Sequence, residues 1–399
     1  MADIPQEVIQ RHDRVASKIK KTQYDVSVGR SPRAETSARR RLHAEREELK
    51  RLTEHAVEAT TGDVIAATQE RTIDTHDILL LNFFCSGLIA SRAVGRIRIA
   101  GGLEKATGFL VSPTLVMTNE HVFRRPEDAA AAEIDFEEFD ILGDHQTVTC
   151  VFDPDRFYFR HEGLDIAVVA LEDTEHAREA TEGLGWHPMI GGEGKILIGD
   201  PINLIQYPGG MHKSVVLHNS NLMHLENGTD LDSFCWYTSD TEKGSSGSPV
   251  FNNRWEVVAV HHRSIPKRNG DGTIVDAADQ PMTDAEYQRE PDRAVYVANE
   301  GSRTSRIVKA LAGATFDDAK MAARRDELLE LWEDSKLINR GQAAARAAAR
   351  QKIRGARDPG ANPDLESLRV EMPLPGRTDR AAAPPNVYHI HLHLGNGAA

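Results

Sequence analysis

From Ser91 to about Ala298 the sequence is a succession of short apolar runs with no helical pattern between them. The runs are VGRIRIA, TGFLVSP, TLVMTN, QTVTCVF, LDIAVVAL, KILIGD, KSVVLHN, SFCWYTS, SPVFN and EVVAVHH, none longer than eight residues. β-branched and aromatic residues recur in them, and Gly, Pro, Asn and Asp separate them. About ten short strands in succession, with no helix to cross over between them, point to an antiparallel barrel or sandwich. The fold class is therefore mainly β.

The flanks have a different character. Residues 1–90 are expected to be a helical N-terminal extension. In TSARRRLHAEREELKRLTEHAVEA, Leu42, Leu49 and Leu52 fall near one helical face, Thr36 or Ser37 can cap it, and Glu47 precedes Arg51 at the i,i+4 spacing. So narrow an apolar stripe must pack against another chain or the domain that follows. The β block, residues 91–315, closes with the helix-like SRTSRIVKALAG. A helical segment, 316–357, comes next, with Leu328, Leu331, Trp332 and Ile338 as one packing stripe. Residues 358–386 carry Pro359, Pro363, Pro373, Pro375, Pro384 and Pro385 and read as a linker. Residues 387–399 form a last, amphipathic strand.

Composition excludes several classes. Forty-eight Lys and Arg against 61 Asp and Glu leave a formal charge of −13, which repels phosphate backbones and argues against a nucleic-acid partner. The densest apolar run, Ile78–Phe84, is far shorter than the ~20 residues that cross a bilayer, so no membrane partner is expected. MADIPQEVIQRHDRV lacks the apolar stretch of a signal peptide. Cys85, Cys150 and Cys235 are too few and too dispersed for a disulfide framework. The expectation is a reduced, cytoplasmic protein.

Three segments of the β block carry chemistry. His121 ends GFLVSPTLVMTNEHVF, Asp165 opens the apolar run in GLDIAVVAL, and Ser246 lies between Gly244 and Gly247 in GSSGSPVF. A serine hydroxyl attacks a carbonyl only when a base takes its proton, and an imidazole oriented by a carboxylate supplies that base. Each segment alone is a weak signal. Together, in the order His, Asp, Ser with separations of 44 and 81 residues, they resemble the trypsin-like (chymotrypsin-fold) serine peptidases.

The resemblance covers about residues 91–310. It implies a double six-stranded antiparallel β-barrel, to which the sequence pattern adds helical extensions at both ends. It also implies a His121–Asp165–Ser246 triad and an oxyanion hole made by the amides of Gly244 and Ser246. Ser245, where the family commonly has Asn or Asp, is a departure at a tolerant position. No cofactor and no metal is expected.

Specificity is divided. The family's pocket-floor position, six residues before the nucleophile, holds Asp240, which in trypsin-type enzymes selects Lys or Arg. Locally the sequence is closer to bacterial glutamyl endopeptidases, which have Thr five residues before the serine and His fifteen after it, here Thr241 and His261. Asp240 and His261 cannot both dominate, since a carboxylate on the floor repels an acidic side chain. The reading leans toward acidic side chains, with basic ones left open. His262, Arg263 and Ser264 are expected to form the edge with which substrate backbone pairs.

Two further features stay open. Residues 266–291 form a long polar insertion, either a lid over the cleft or an ordinary surface loop. In VYHIHLHL, His389, His391 and His393 share one face of a strand, suited to augmenting a sheet edge and less to binding zinc. The resulting expectation is a regulated intracellular bacterial serine endopeptidase acting on a protein or peptide substrate, similar to conflict-system effectors. Its N-terminal helix or C-terminal strand would meet a regulatory protein, and residues 1–90 would restrain activity until a partner or a cut releases it. The alternative is a catalytically idle β-barrel adaptor.

Overall fold

The computed structural model describes residues 6–28, 38–46, 82–102, 104–139, 145–229 and 231–333. The expected pairing of Leu42 with Leu49 and Leu52, the Glu47–Arg51 pair, Ile338, the linker and the histidine strand fall wholly or partly outside them. Among the described residues, fourteen strands make two antiparallel sheets of seven.

The first sheet contains β1 (Val94–Ile99), β2 (Glu104–Leu110), β3 (Leu115–Thr118), β4 (Ala132–Phe139), β5 (His145–Val151), β6 (Tyr158–His161) and β7 (Ile166–Ala170). Its order is β5-β4-β1-β2-β3-β7-β6. The second contains β8 (Asn203–Gln206), β9 (Ser214–Val216), β10 (Leu222–Leu225), β11 (Phe234–Tyr237), β12 (Pro249–Phe251), β13 (Val257–Pro266) and β14 (Tyr296–Arg303). Its order is β10-β11-β14-β13-β12-β8-β9. The mainly-β, trypsin-like architecture expected from the sequence is present, with seven strands to a sheet where six were expected. Short edge strands, β6 and β9, contribute to that count.

Both sheets curl so that their ends approach. A bridge between Phe152 and Leu171 joins the ends of the first, and one between Pro201 and Asn221 those of the second. Closure of this kind leaves little exposed strand edge. Alternation along the strands then builds separate cores. In β7, Ile166 and Val168 face the apolar layer between the sheets, whereas Ala167 and Val169 face the interior of the first sheet. That is why IAVVA is apolar without a break: both faces of the strand are buried.

KILIGD, read as a strand, is instead an irregular segment. Ile196 and Ile198 are buried inside the second sheet, but Gly194 and Gly199 turn the backbone through positive φ on either side. Lys195 Nζ is held by the carbonyls of Ile190 and Val257, which fixes the segment through a side chain in place of a ladder. The 266–291 insertion is ordered. Thr283 caps a short helix, Asp284–Arg289, and Ile274, Met282 and Ala294 form a small core beneath it.

Helices fasten the second sheet from outside. α1 (Gln6–Ser27) lays Val15 and Ile19 against Met223, Phe234, Trp236 and Ile265. α2 (38–46) bonds through Arg39 to the Ile196 carbonyl and through Arg46 to Glu256. α3 (Asn82–Arg92) buries Phe83 against Trp255, whose indole N–H donates to the Phe83 carbonyl at 3.0 Å. Phe84, from the same apolar run, is exposed. After Phe316 the expected helix is present at Ala319–Glu333, with Leu328 and Trp332 buried and the Trp332 indole bonded to the Val111 carbonyl. No helix among the described residues is long and apolar enough to cross a membrane.

Candidate active site

β3 ends at Thr118, and Asn119, Glu120 and His121 follow in a tight turn closed by Val122 N–H to Asn119 O (3.3 Å) and Phe123 N–H to Glu120 O (3.0 Å). Phe123 is fully buried and pins the turn, while the His121 side chain stays 36% exposed. Asp165 stands one residue before β7, in the left-handed region at φ 50°, and caps the short 3-10 turn Glu162–Leu164. Aspartate tolerates that conformation better than most residues. Asn119 Nδ2 donates to the Asp165 carbonyl at 2.9 Å, so the two turns hold each other.

The pair meets at two points. His121 Nδ1 lies 2.8 Å from Asp165 Oδ2, and the His121 backbone N–H donates to Oδ1 at 2.9 Å. Burial would raise the Asp165 carboxyl, but the bonds from His121 and from His262 outweigh it and hold it well below the usual carboxylate range. Asp165 is therefore an anion at neutral pH, and the carboxylate can only accept.

Ser246 is presented by a loop of the second sheet that is tied to the first. Thr107, on β2, donates its N–H to Ser246 O (2.9 Å) and its hydroxyl to Gly244 O (2.8 Å). Gly244 and Gly247 have φ of 101° and 85°. A Cβ on Gly247 would stand 2.1 Å from Thr107 O and 2.4 Å from Thr118 Oγ1, so only glycine lets the loop press this close to β3. The amides of Ser245, Gly247 and Ser248 are taken by the carbonyls of Glu242, His261 and Ser245. Among the described residues no carbonyl accepts from the amides of Gly244 or Ser246.

The three residues picked out around the pocket occupy different environments. His261 is buried, and its Nδ1 lies 2.8 Å from the Tyr237 hydroxyl. Burial, with the nearby His262 and His121, depresses it to about 3, so the ring is neutral near pH 7. A hydroxyl donating to Nδ1 leaves the proton on Nε2. Thr241 Oγ1 donates to Asn299 Oδ1 (2.9 Å) and lies 3.1 Å from Ser264 Oγ, which also reaches Asn299 Oδ1 (2.8 Å). Asp240 is exposed, and its backbone carbonyl accepts from Gln206 Nε2.

β13 outruns its neighbour. Its register with β12 stops at Val260, while with β14 it continues through Arg263 and Ser264 to Pro266. On the β12 side, His262, Arg263 and Ser264 thus have no strand partner among the described residues. The His262 ring does something the sequence reading missed: only 3% exposed, it turns inward with Nδ1 3.2 Å from Asp165 Oδ2. Strand alternation gave no signal for it, because the register with β14 shifts between His261 and Arg263, and His262 turns inward at that irregularity beside an equally buried His261. Glu300, in the middle of β14, was missed as well; it is fully buried and stands 3.0 Å from His262 Nε2. Among the described residues no cluster of His, Cys, Asp and Glu could hold a metal ion.

Residues 106–260 match the family model described as a trypsin-like peptidase domain, a span that includes His121, Asp165 and Ser246. The uncharacterized protein y4fB of Sinorhizobium fredii (strain NBRC 101917 / NGR234) is 32% identical over 255 residues, 60% of this chain. The chain spans 38% of the length of that relative. Among solved structures, the active form of the Rv3671c protease from M. tuberculosis is 18% identical, covering 64% of this chain and 98% of its own, with a TM-score of 0.35. Deg5 is 18% identical, covering 46% and 83%, with a TM-score of 0.32.

Proposed function

We propose that this chain is a serine endopeptidase. The observation that carries the reading is the doubly bonded His121–Asp165 pair on the rim from which Thr107 and Thr118 receive the Ser246 loop. In this reading His121 Nε2 takes the Ser246 proton as Oγ attacks the scissile carbonyl, and returns it to the leaving amine. Asp165 holds the proton on Nδ1 and stabilises the imidazolium. The uncommitted amides of Gly244 and Ser246 receive the developing oxyanion. Water then releases the acyl group by the same steps in reverse.

For specificity we read the pocket as accepting an acidic side chain before the scissile bond. The Nε2–H of a neutral His261 is a donor, the Thr241 and Ser264 hydroxyls would have to turn from Asn299 Oδ1 to serve as further ones, and the exposed Asp240 is screened by solvent. The free side of β13 at 262–264 suits the pairing of an extended peptide.

The test is a fluorophosphonate probe on the full-length chain, with wild type beside Ser246→Ala. Covalent labelling of wild type alone, together with hydrolysis of a peptide library lost in Ser246→Ala by roughly 10⁴-fold or more, supports the reading. An unlabelled wild type that hydrolyses nothing would leave the idle adaptor as the better account.

A further inference from the structure

Behind Asp165 the structure holds a row of buried groups that leads out to the N-terminal helix. His262 is stacked on Phe234 at 5.4 Å and 20° and sits between two carboxylates, Asp165 at 3.2 Å and Glu300 at 3.0 Å. Glu300 is met by α1 from the far side: Arg11 Nη2 donates to Oε1 at 2.6 Å and Nε to Oε2 at 3.0 Å, a two-pronged pair. His12 Nε2 stands 3.4 Å from Oε2, and the Trp236 indole N–H donates to the same oxygen at 2.9 Å. The Arg11 guanidinium also lies 3.9 Å over the Phe234 ring, the ring that stacks on His262. A second tie joins β14 to the same turn, since the Ser302 hydroxyl donates to the Leu164 carbonyl.

We propose that α1 is a working part of the site, with Arg11, Glu300 and His262 acting as positioning residues that fix Asp165 and, through it, His121. This rests on the peptidase reading and gives the N-terminal extension a sign opposite to restraint. The chemistry is simple. Asp165 Oδ2 is shared by two imidazoles, so the orientation offered to His121 depends on where His262 stands. His262 faces an acceptor-only carboxylate at each ring nitrogen, an arrangement that suits the imidazolium. Burial would lower His262, but Asp165 and Glu300 outweigh it and raise it above the ordinary histidine value. Glu300 in turn stays charged without water because Arg11, His12 and Trp236 surround it. Burial would raise its carboxyl, but His12, His262 and Arg11 outweigh it and take it well below the usual range. Arg11 is the only contribution among these from a side chain that remains partly solvent-exposed, at 14%.

The experiment uses full-length point variants. Glu300→Gln and Arg11→Ala should each lower kcat about tenfold with KM nearly unchanged, the loss of one charge-assisted bond felt in the transition state. Arg11→Lys, which restores the charge without the two-pronged geometry, should recover part of the rate. Lys18→Ala, on the exposed side of α1 where Lys18 meets Glu226, should leave kcat as in wild type. If Glu300→Gln does not fold, the Arg11 pair decides the matter alone. A second readout does not depend on hydrolysis: in ¹⁵N-histidine spectra the His262 titration should move to lower pH in Glu300→Gln, against Asp165, His121, His261, His12 and Arg11 as the remaining groups nearby. Folded Arg11→Ala and Glu300→Gln with wild-type kcat and an unmoved His262 titration would overturn the proposal. If wild type fails to label at Ser246, the peptidase reading falls. The His262 titration then still decides whether α1 controls that ring.

Discussion

The two sheets match in strand number and differ in where they keep charge. In the first the main ion cluster opens to solvent through its cations: the buried Asp135 binds Arg98 and Arg96 and accepts from Thr149, and Arg98 is 31% exposed. The second keeps Glu300 and His262 wholly inside, with the Arg11 pair over them. A pair whose cation reaches water is screened on that side, whereas one partner removed from a fully buried pair leaves a charge without water. The half of the molecule that contributes His121 and Asp165 can therefore be structurally ordinary, because the other half holds their carboxylate from behind. Such a division places the demand on the seam between the sheets.

The largest effect outside the reacting groups should come from breaking that seam. In Gly247→Ala the new methyl meets the Thr107 carbonyl and the Thr118 hydroxyl at a backbone φ that favours glycine. The loop must retreat from the first sheet, and the Thr107 bonds to Ser246 O and Gly244 O go with it. A destabilisation of about 3 kcal/mol or more is expected in urea melts, with activity lost beyond what unfolding explains. Wild-type stability with full activity would mean that the seam is softer than it looks.

A smaller effect is pH-dependent, and its sign differs between the groups of the buried row. Asp165 and Glu300 are held below their ordinary values, so their contribution is complete above the unfolded carboxylate range, about pH 4–4.5, and drains away as pH falls through the folded values. His262 is held above its ordinary value, so its contribution is complete below about pH 6.5 and is lost as pH rises through the folded value. The row should stabilise the chain most between about pH 4.5 and 6.5. His261, His187, His12 and His224, all held below the ordinary histidine value by burial, withdraw stability as pH falls below about 6.5. The row is therefore read as the difference in urea midpoint between wild type and Glu300→Gln, which should be largest inside that window and shrink on both sides. A difference that keeps growing from pH 6 to 9 would contradict a charged His262.

Much of this was legible in the chain before the fold was known. Short punctuated runs are a local property, so the β class could be read directly, whereas His121, Asp165 and Ser246 stood out only through the resemblance that their three motifs carry together. β4, β6 and β14 were harder, because charged or polar side chains interrupt the apolar ones in AEIDFEEF, YFRH and YVANEGSR, and β8 and β10 are only the four-residue NLIQ and LMHL. KILIGD misled for the opposite reason: burial of Ile196 and Ile198 gives it the composition of a strand, while its flanking glycines bend it away from any ladder. The row from Arg11 to Asp165 was illegible, since it joins residues 289 positions apart and no spacing rule relates them.

Within the pocket the same contrast between buried and exposed charge recurs on the smallest scale, and it sets the last expectation. His261 is locked on Tyr237 and shielded from salt, whereas Asp240 is open to solvent. Its repulsion of an acidic substrate side chain is screened, so Asp240→Asn should raise kcat/KM on Glu substrates by only about two- to fivefold, with the gain shrinking as salt rises toward 1 M. His261→Ala should instead lower Glu cleavage at every salt concentration, because it removes a desolvated donor that water cannot replace in place. The comparison is a panel of peptides differing only in the residue before the cut, assayed at low and high salt. Cleavage after Arg that collapses in Asp240→Asn and survives in His261→Ala would reverse the assignment and make the exposed carboxylate the selecting group.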